Sequence, residues 1–263
     1  MSATAPTIEL RGVYVLHSVR CRGILRPDRV HALRGIDLAV HRGETVGVVG
    51  ESGSGKSTLA RVAVGLRRPT QGEVLFRGSP LRRSTAGRRT LGRVVSAVFQ
   101  DPATALNPRM TIRAQLLDPL QVHRVGDSSW RRERVEELAD LVGLPPSVLD
   151  ALPRQISGGQ RQRVAIARAL ALQPDVLVAD EPVSALDVSV RAQVLNLFTD
   201  LKEHLGLGMV FISHDIHTVR HLSDRIAVLR AGEIVEIGPA HEVFSTPRSA
   251  YTRTLLAATP RLL

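Results

Sequence analysis

The sequence predicts an α/β fold interrupted by one helical insertion, and three observations carry that prediction. A short apolar run at 45–49 (TVGVV) leads into a glycine-rich turn and then a helical pattern. A second apolar run at 176–179 (VLVA) ends in two acids, with another helical pattern at 190–205. Between the two, residues 101–154 change character and read as helix rather than alternating strand and helix.

Residues 8–17 (IELRGVYVLH) read as the first strand, and the basic, irregular residues 18–28 as a loop. Strands follow at 30–40 and 44–49, the latter ending at Gly50. A helix is expected over 56–66, a turn at Pro69-Thr70-Gln71-Gly72, a short strand at 74–76, and a basic, glycine-containing linker over 82–93. Inside the insertion Val135, Leu138, Leu141 and Val142 recur at helical spacing, and Gly143 suits the end of that helix. The α/β pattern resumes with a helix from Ser157 to Leu172, a buried strand at 176–179, a helix at 190–205 and a strand at 209–212. A hairpin over 226–237 turns at Ala231-Gly232, and a short helix lies near 251–257. The chain shows neither internal repeats nor low-complexity segments. It divides as a single domain, with a core at 1–100 and 156–240, a helical subdomain at 101–155 and a tail at 241–263.

The apolar fraction of 43% and length of 263 residues suit a globular chain with a substantial core. No run of apolar residues is long enough to span a bilayer, and residues 1–9 lack a secretory pattern. One cysteine, Cys21, cannot form an internal disulfide or by itself hold zinc or an iron–sulfur cluster, which fits a reducing compartment. The formal charge of +10 is almost all arginine, because Lys56 and Lys202 are the only lysines. The main cluster, Arg82, Arg83, Arg88 and Arg89, has no interleaved aromatic, so a solvated surface is expected rather than a nucleic-acid partner. A lysine kept among so many arginines points to a position that needs a compact ammonium.

Lys56 lies in Gly50-Glu51-Ser52-Gly53-Ser54-Gly55-Lys56-Ser57, a full match to G-x-x-x-x-G-K-[ST] between a strand and a helix. Glycines let the backbone curl until several N–H groups face one anion, and the helix N-terminus adds its positive end. Lys56 is then expected on the β- and γ-phosphates of a nucleotide and the Ser57 hydroxyl on Mg²⁺. An apolar strand that ends in Asp180-Glu181 calls for a cation nearby. Asp180 is placed to bind Mg²⁺ through water, and Glu181 to polarise the attacking water as general base.

Four further segments resemble the nucleotide-binding domain of ABC transporters. Ile156-Ser157-Gly158-Gly159-Gln160 resembles the family's LSGGQ signature, with Ile in place of Leu. Physically it is a second anion site, a Ser and two glycines opening a helix. Gln100 in VFQDP resembles the Q-loop glutamine, Ser184-Ala185-Leu186-Asp187 the D-loop, and His214 in FISHD the switch histidine. The resemblance implies a P-loop NTPase with a RecA-like core, an antiparallel β subdomain and a helical subdomain. It implies ATP contacts from residues 50–58, Thr58 included, and Mg²⁺ contacts from Ser57, Gln100 and Asp180. Ser157, Gly158, Gly159, Gln160 and Asp187 would act on the ATP held by an opposing subunit. His214 would orient Glu181 and water. The family stacks adenine on an aromatic at the end of the first strand. Here His17 falls at that position and Tyr14 is the nearest aromatic, so either or neither is the stacking group.

Further segments resemble the peptide and nickel importer branch: GESGSG at 50–55, ALNPRMT at 105–111, DVSV at 187–190, and a tail at 244–260 with Pro247, Tyr251 and Leu255-Leu256. Without the extra C-terminal cysteines of some members, the chain resembles the shorter ATPase of a two-ATPase importer. That implies ATP hydrolysis coupled to uptake of a peptide or nickel chelate, at the cytoplasmic face of the membrane. The implied partners are a second ATPase subunit, identical or not, integral membrane permeases and, indirectly, a solute-binding protein. The alternative is an ABC ATPase acting without a membrane partner or on a different cargo.

Overall fold

The structure, a computed structural model, describes residues 5–19, 28–80, 85–100 and 105–258. It opens with two long strands, β1 (Ile8–Val19) and β2 (Asp28–Val40), then β3 (Thr45–Val49) and helix α1 (Lys56–Ala63). After β4 (Gln71–Phe76), β5 (Ser79–Pro80), α2 (Thr85–Gly92) and β6 (Val95–Val98) come the helices α3 (Ile112–Val122) and α4 (Ser128–Leu141) and two 3₁₀ turns. Helix α5 (Gly158–Leu170), β7 (Val176–Asp180), α6 (Val188–Leu205) and β8 (Gly208–Ile212) restore the α/β alternation. The chain then forms α7 (Ile216–Leu222), the hairpin β9 (Arg225–Arg230) and β10 (Glu233–Pro239), and helices α8 (Ala240–Ser245) and α9 (Ala250–Ala257).

The strands form two sheets. One is antiparallel, in the order β2-β1-β4-β5, and the other has the order β10-β9-β3-β8-β7-β6. In the second, β9, β3, β8, β7 and β6 run parallel and only β10 is antiparallel. Every residue of β3, β7 and β8 is buried, as expected for parallel strands covered on both faces. Side-chain alternation sorts these apolar runs into two cores. Val46, Val48, Val176, Val178, Val210 and Ile212 pack with Leu59, Val62 and the antiparallel sheet. Leu177, Ala179, Met209 and Phe211 face the other way, onto Leu116, Leu138, Ile166, Val194 and Phe198. Phe198 and Phe211 meet edge to face with centroids 5.5 Å apart, a contact worth about 0.5–1.5 kcal/mol beyond its area.

Several expected elements shift. The basic linker over 82–93 contains helix α2, whose Leu91 packs against the core. The turn at Gln71-Gly72 is absorbed into β4, because Gln71 pairs with Tyr14 of β1. The first helix ends at Ala63 rather than residue 66. Strand β6 and helices α7 and α8 were not anticipated. Gly143 follows the end of α4 with φ of 66°, as its place in the sequence suggests. Cys21, most of the loop at 18–28, Arg82, Arg83 and residues 101–104 lie outside the described residues. Among the described residues no helix is long and apolar enough to cross a membrane.

Candidate active site

Strands β6, β7, β8 and β3 are successive neighbours and parallel, so their carboxyl ends share one edge of the sheet. Gln100 follows β6, Asp180 ends β7 with Glu181 next, His214 follows β8, and the glycine-rich loop follows β3. Segments up to 164 residues apart are thereby brought to one open cleft of about 500 Å³. Ser52, Gly53, Gly55, Lys56, Ser57, Thr58, Gln100, Glu181 and His214 line it.

The loop is wound tightly against its surroundings. A Cβ added at Gly50 would sit 2.1 Å from the carbonyl oxygen of Leu229, so only glycine lets β3 pass β9 at that point. Lys56 is 6% exposed, and its Nζ donates to the carbonyls of Gly50 (2.7 Å) and Glu51 (2.8 Å). Burial lowers its pKa, against the opposing fields of Glu181 and Asp180. The ammonium therefore rests on backbone oxygens beside two carboxylates, poised to move to a stronger anion.

Asp180 is 5% exposed, and its Oδ1 has no hydrogen-bond partner. Burial raises its pKa, while a hydrogen bond from Ser57 pulls the other way. A buried carboxylate oxygen without a partner, next to a serine hydroxyl, fits a divalent cation held by few protein oxygens and several waters. Without that cation the charge is a burden on the fold. A raised carboxyl pKa leaves folding undisturbed at low pH and costs stability once pH rises through the folded-state value. Asp180→Asn should therefore stabilise the nucleotide-free protein at neutral pH by about 1 kcal/mol, a Tm gain of roughly 2–4 °C. Calorimetry without Mg²⁺ or ATP checks this; a lower Tm would contradict it.

Glu181 adopts a left-handed backbone (φ 49°), an uncommon conformation for a non-glycine residue, and its N–H donates to the Ile212 carbonyl at 2.9 Å. Its carboxylate is bracketed by two donors. Gln100 Nε2 lies 3.2 Å and His214 Nδ1 3.3 Å from the same oxygen, Oε2. The carboxylate can only accept, so Nδ1 of His214 carries the hydrogen in this contact. With both donors on Oε2, Oε1 remains to accept from a water.

The other expected residues assemble elsewhere. Ser157 caps α5: its Oγ accepts the Gln160 N–H at 3.2 Å, and Gln160 Oε1 accepts the Ser157 N–H at 2.9 Å. A Cβ on Gly159 would lie 2.5 Å from Val190, so this turn packs directly on the start of α6. Asp187 caps α6, accepting from the Val190 N–H and the Ser189 hydroxyl, each at 2.9 Å, and these bonds hold its pKa down. None of Ser157, Gly158, Gly159, Gln160 or Asp187 lines the cleft. They open two adjacent helices, Ser157 to Gln160 at the start of α5 and Asp187 at the start of α6.

Neither His17 nor Tyr14 lines the cleft either. His17 Nε2 approaches the Thr58 hydroxyl at 3.4 Å, while Tyr14 lies over Gly35. Burial and then the charges of Arg67 and Arg61 lower the pKa of His17, which favours the neutral ring. The wall that sequence reasoning missed is Val30, His31 and Ala32 of β2. Its only signal was register: β2 pairs antiparallel with β1, setting Val30 opposite His17.

Comparison with known proteins agrees with this geometry. The family model described as "ABC transporter" matches residues 33–184. A probable D,D-dipeptide transport ATP-binding protein of Escherichia coli is 48% identical over 89% of this chain and 72% of its own length. A dipeptide transport ATP-binding protein of Haemophilus influenzae is 45% identical over 98% of this chain and 79% of its own length. Among solved structures, the dimeric post-hydrolysis ATP-binding cassette MJ0796 bound to ADP and Pi is similar, with a TM-score of 0.77 and 31% identity over 89% of this chain and 98% of that one. The lysine loop, the acid pair ending β7 and these relatives agree, and the chain belongs to the ABC transporter family as an ATP-hydrolysing cassette.

Proposed function

We propose that this cassette powers a peptide importer from the cytoplasmic face of the membrane, paired with a second ATP-binding subunit, identical or homologous, on two permease subunits fed by a solute-binding protein. The observation that carries the hydrolytic part is the convergence of Lys56, Asp180, Glu181, Gln100 and His214 at one sheet edge. Peptide as cargo is supported by relatives named for dipeptide and oligopeptide transport; a nickel chelate rests on sequence resemblance alone.

In this reading Lys56 leaves its carbonyl partners for the β- and γ-phosphates, and the N–H groups of residues 53–57 surround the same anion. Ser57, Asp180 and Gln100 would hold Mg²⁺, which would supply positive charge to the phosphate oxygens. Glu181 accepts a proton from the attacking water, with Gln100 and His214 fixing its carboxylate. Ser157 and Gly159 of this chain cap the triphosphate held by the opposing subunit, so closure requires ATP and hydrolysis releases it. The helical subdomain at 101–155 passes that movement to the permease. His17, beside Thr58, and Tyr14 are the first strand's two candidates for the adenine contact, although neither lines the cleft.

Lys56→Ala should weaken ATP binding by roughly 10- to 100-fold, the size of charge-assisted hydrogen bonds lost from a buried site. Titration with a fluorescent ATP analogue measures it, and dipeptide uptake by proteoliposomes of the assembled transporter should cease. Unchanged affinity would remove Lys56 from the phosphate site.

A further inference from the structure

The C-terminal helix α9 touches the phosphate loop. The backbone N–H of Glu51, the second residue of the loop, donates to the hydroxyl of Tyr251 at 3.3 Å, and Tyr251 is 9% exposed. The Glu51 carbonyl is held from the other side, by Lys56 Nζ at 2.8 Å and the Ser54 N–H at 3.2 Å. Glu51 is thus gripped through both of its peptide groups, and the carbonyl on which the lysine rests belongs to the residue that Tyr251 fixes.

Tyr251 is itself held in place. The guanidinium of Arg230, the last residue of β9, lies 4.9 Å above its ring. The carboxylate of Glu236 on β10 accepts the N–H groups of Arg248 (2.8 Å) and Ser249 (3.0 Å), which anchors the start of α9. The same hairpin supports the loop directly, where the Gly232 N–H donates to the Ser54 carbonyl at 2.8 Å. Arg230, Gly232, Glu236 and Tyr251 therefore form one continuous support behind the loop.

From this geometry we infer that Tyr251 is a positioning residue for ATP: its hydroxyl sets the orientation of the Glu51 peptide, and through it the rest position of Lys56 and the curl of the phosphate loop. A loop that binds an anion by several N–H groups gains affinity when those groups are already aligned. Losing the hydroxyl frees one peptide at the start of the loop and lowers affinity without touching Glu181. The inference rests on the loop being the phosphate site.

Tyr251→Phe keeps the ring and its contact with Arg230 and removes only the acceptor. In the full chain it should raise the Kd and KM for ATP about three- to tenfold, the size of one net hydrogen bond. The kcat should stay within about twofold and the Tm nearly constant. Hydrogen exchange should quicken in peptides covering 50–56 and not in those covering β7 and β8. Arg230→Met, which unseats the ring from the other side, should shift the Kd in the same direction and serves if the first variant folds poorly. Wild-type ATP affinity in both variants, beside a Lys56→Ala control weakened by roughly 10- to 100-fold, overturns the inference. A uniform rise in exchange with a lowered Tm overturns it too, by reducing Tyr251 to packing. Normal binding by Lys56→Ala would instead overturn the reading of the loop itself.

Discussion

Glu181→Gln is expected to slow ATP hydrolysis by about a thousandfold, within the range that a positioned general base contributes, while leaving ATP affinity within about twofold of wild type. The amide matches the carboxylate in size and can still accept from Gln100 Nε2 and His214 Nδ1 through its oxygen, so the bracketed geometry survives. It cannot take the water's proton. The backbone also argues for this residue. A glutamate held at φ 49° at the end of a buried strand is an uncommon arrangement, and the bond from its N–H to the Ile212 carbonyl keeps it there. The variant should accumulate in an ATP-bound, closed assembly that elutes as a dimer on gel filtration. Hydrolysis at the wild-type rate would mean that another group accepts the proton.

Ser157→Arg should abolish hydrolysis by the assembled pair, with a drop of at least about a hundredfold, and leave ATP binding to the isolated chain unchanged. The separation follows from placement: Ser157 caps α5 and stays out of the cleft that Lys56 and Glu181 line. The change also removes an N-cap hydrogen bond and puts positive charge at the positive end of a helix, costing about 1 kcal/mol of stability. Ser157→Asp is the control, because aspartate keeps the cap but turns a like charge toward the incoming γ-phosphate. Both variants should bind ATP as monomers and fail to close. Loss of binding in the isolated chain would place Ser157 at its own nucleotide and end the two-subunit arrangement.

The phosphate loop was legible because its chemistry is local. Glycines, lysine and serine at fixed spacing after an apolar strand describe one turn of backbone, and the structure places six of residues 50–58 on the cleft wall. Glu181 was legible from the apolar strand that ends in two acids, Gln100 and His214 only through family resemblance. Their meeting depends on β6, β7, β8 and β3 lying side by side and parallel, and strand order is not written in any one of those segments. Short elements were lost for a different reason. Residues 85–92 carry arginines and two glycines that read as linker, yet Leu91 packing on the core keeps them helical. Strand β6 has only four residues, two of them fully buried, too few to show a period. The wall at Val30 to Ala32 and the contact between Tyr251 and Glu51 both arise from tertiary pairing across 13 and 200 residues, where periodicity carries no information.

The direct test of the two-subunit arrangement is a cryo-EM map of the assembled transporter carrying Glu181→Gln and saturated with Mg²⁺ and ATP. The Ser157 turn of this chain should lie within hydrogen-bond distance of the γ-phosphate on the opposing subunit's lysine loop. A closed, ATP-loaded pair in which that turn faces solvent, away from any triphosphate, would contradict the account.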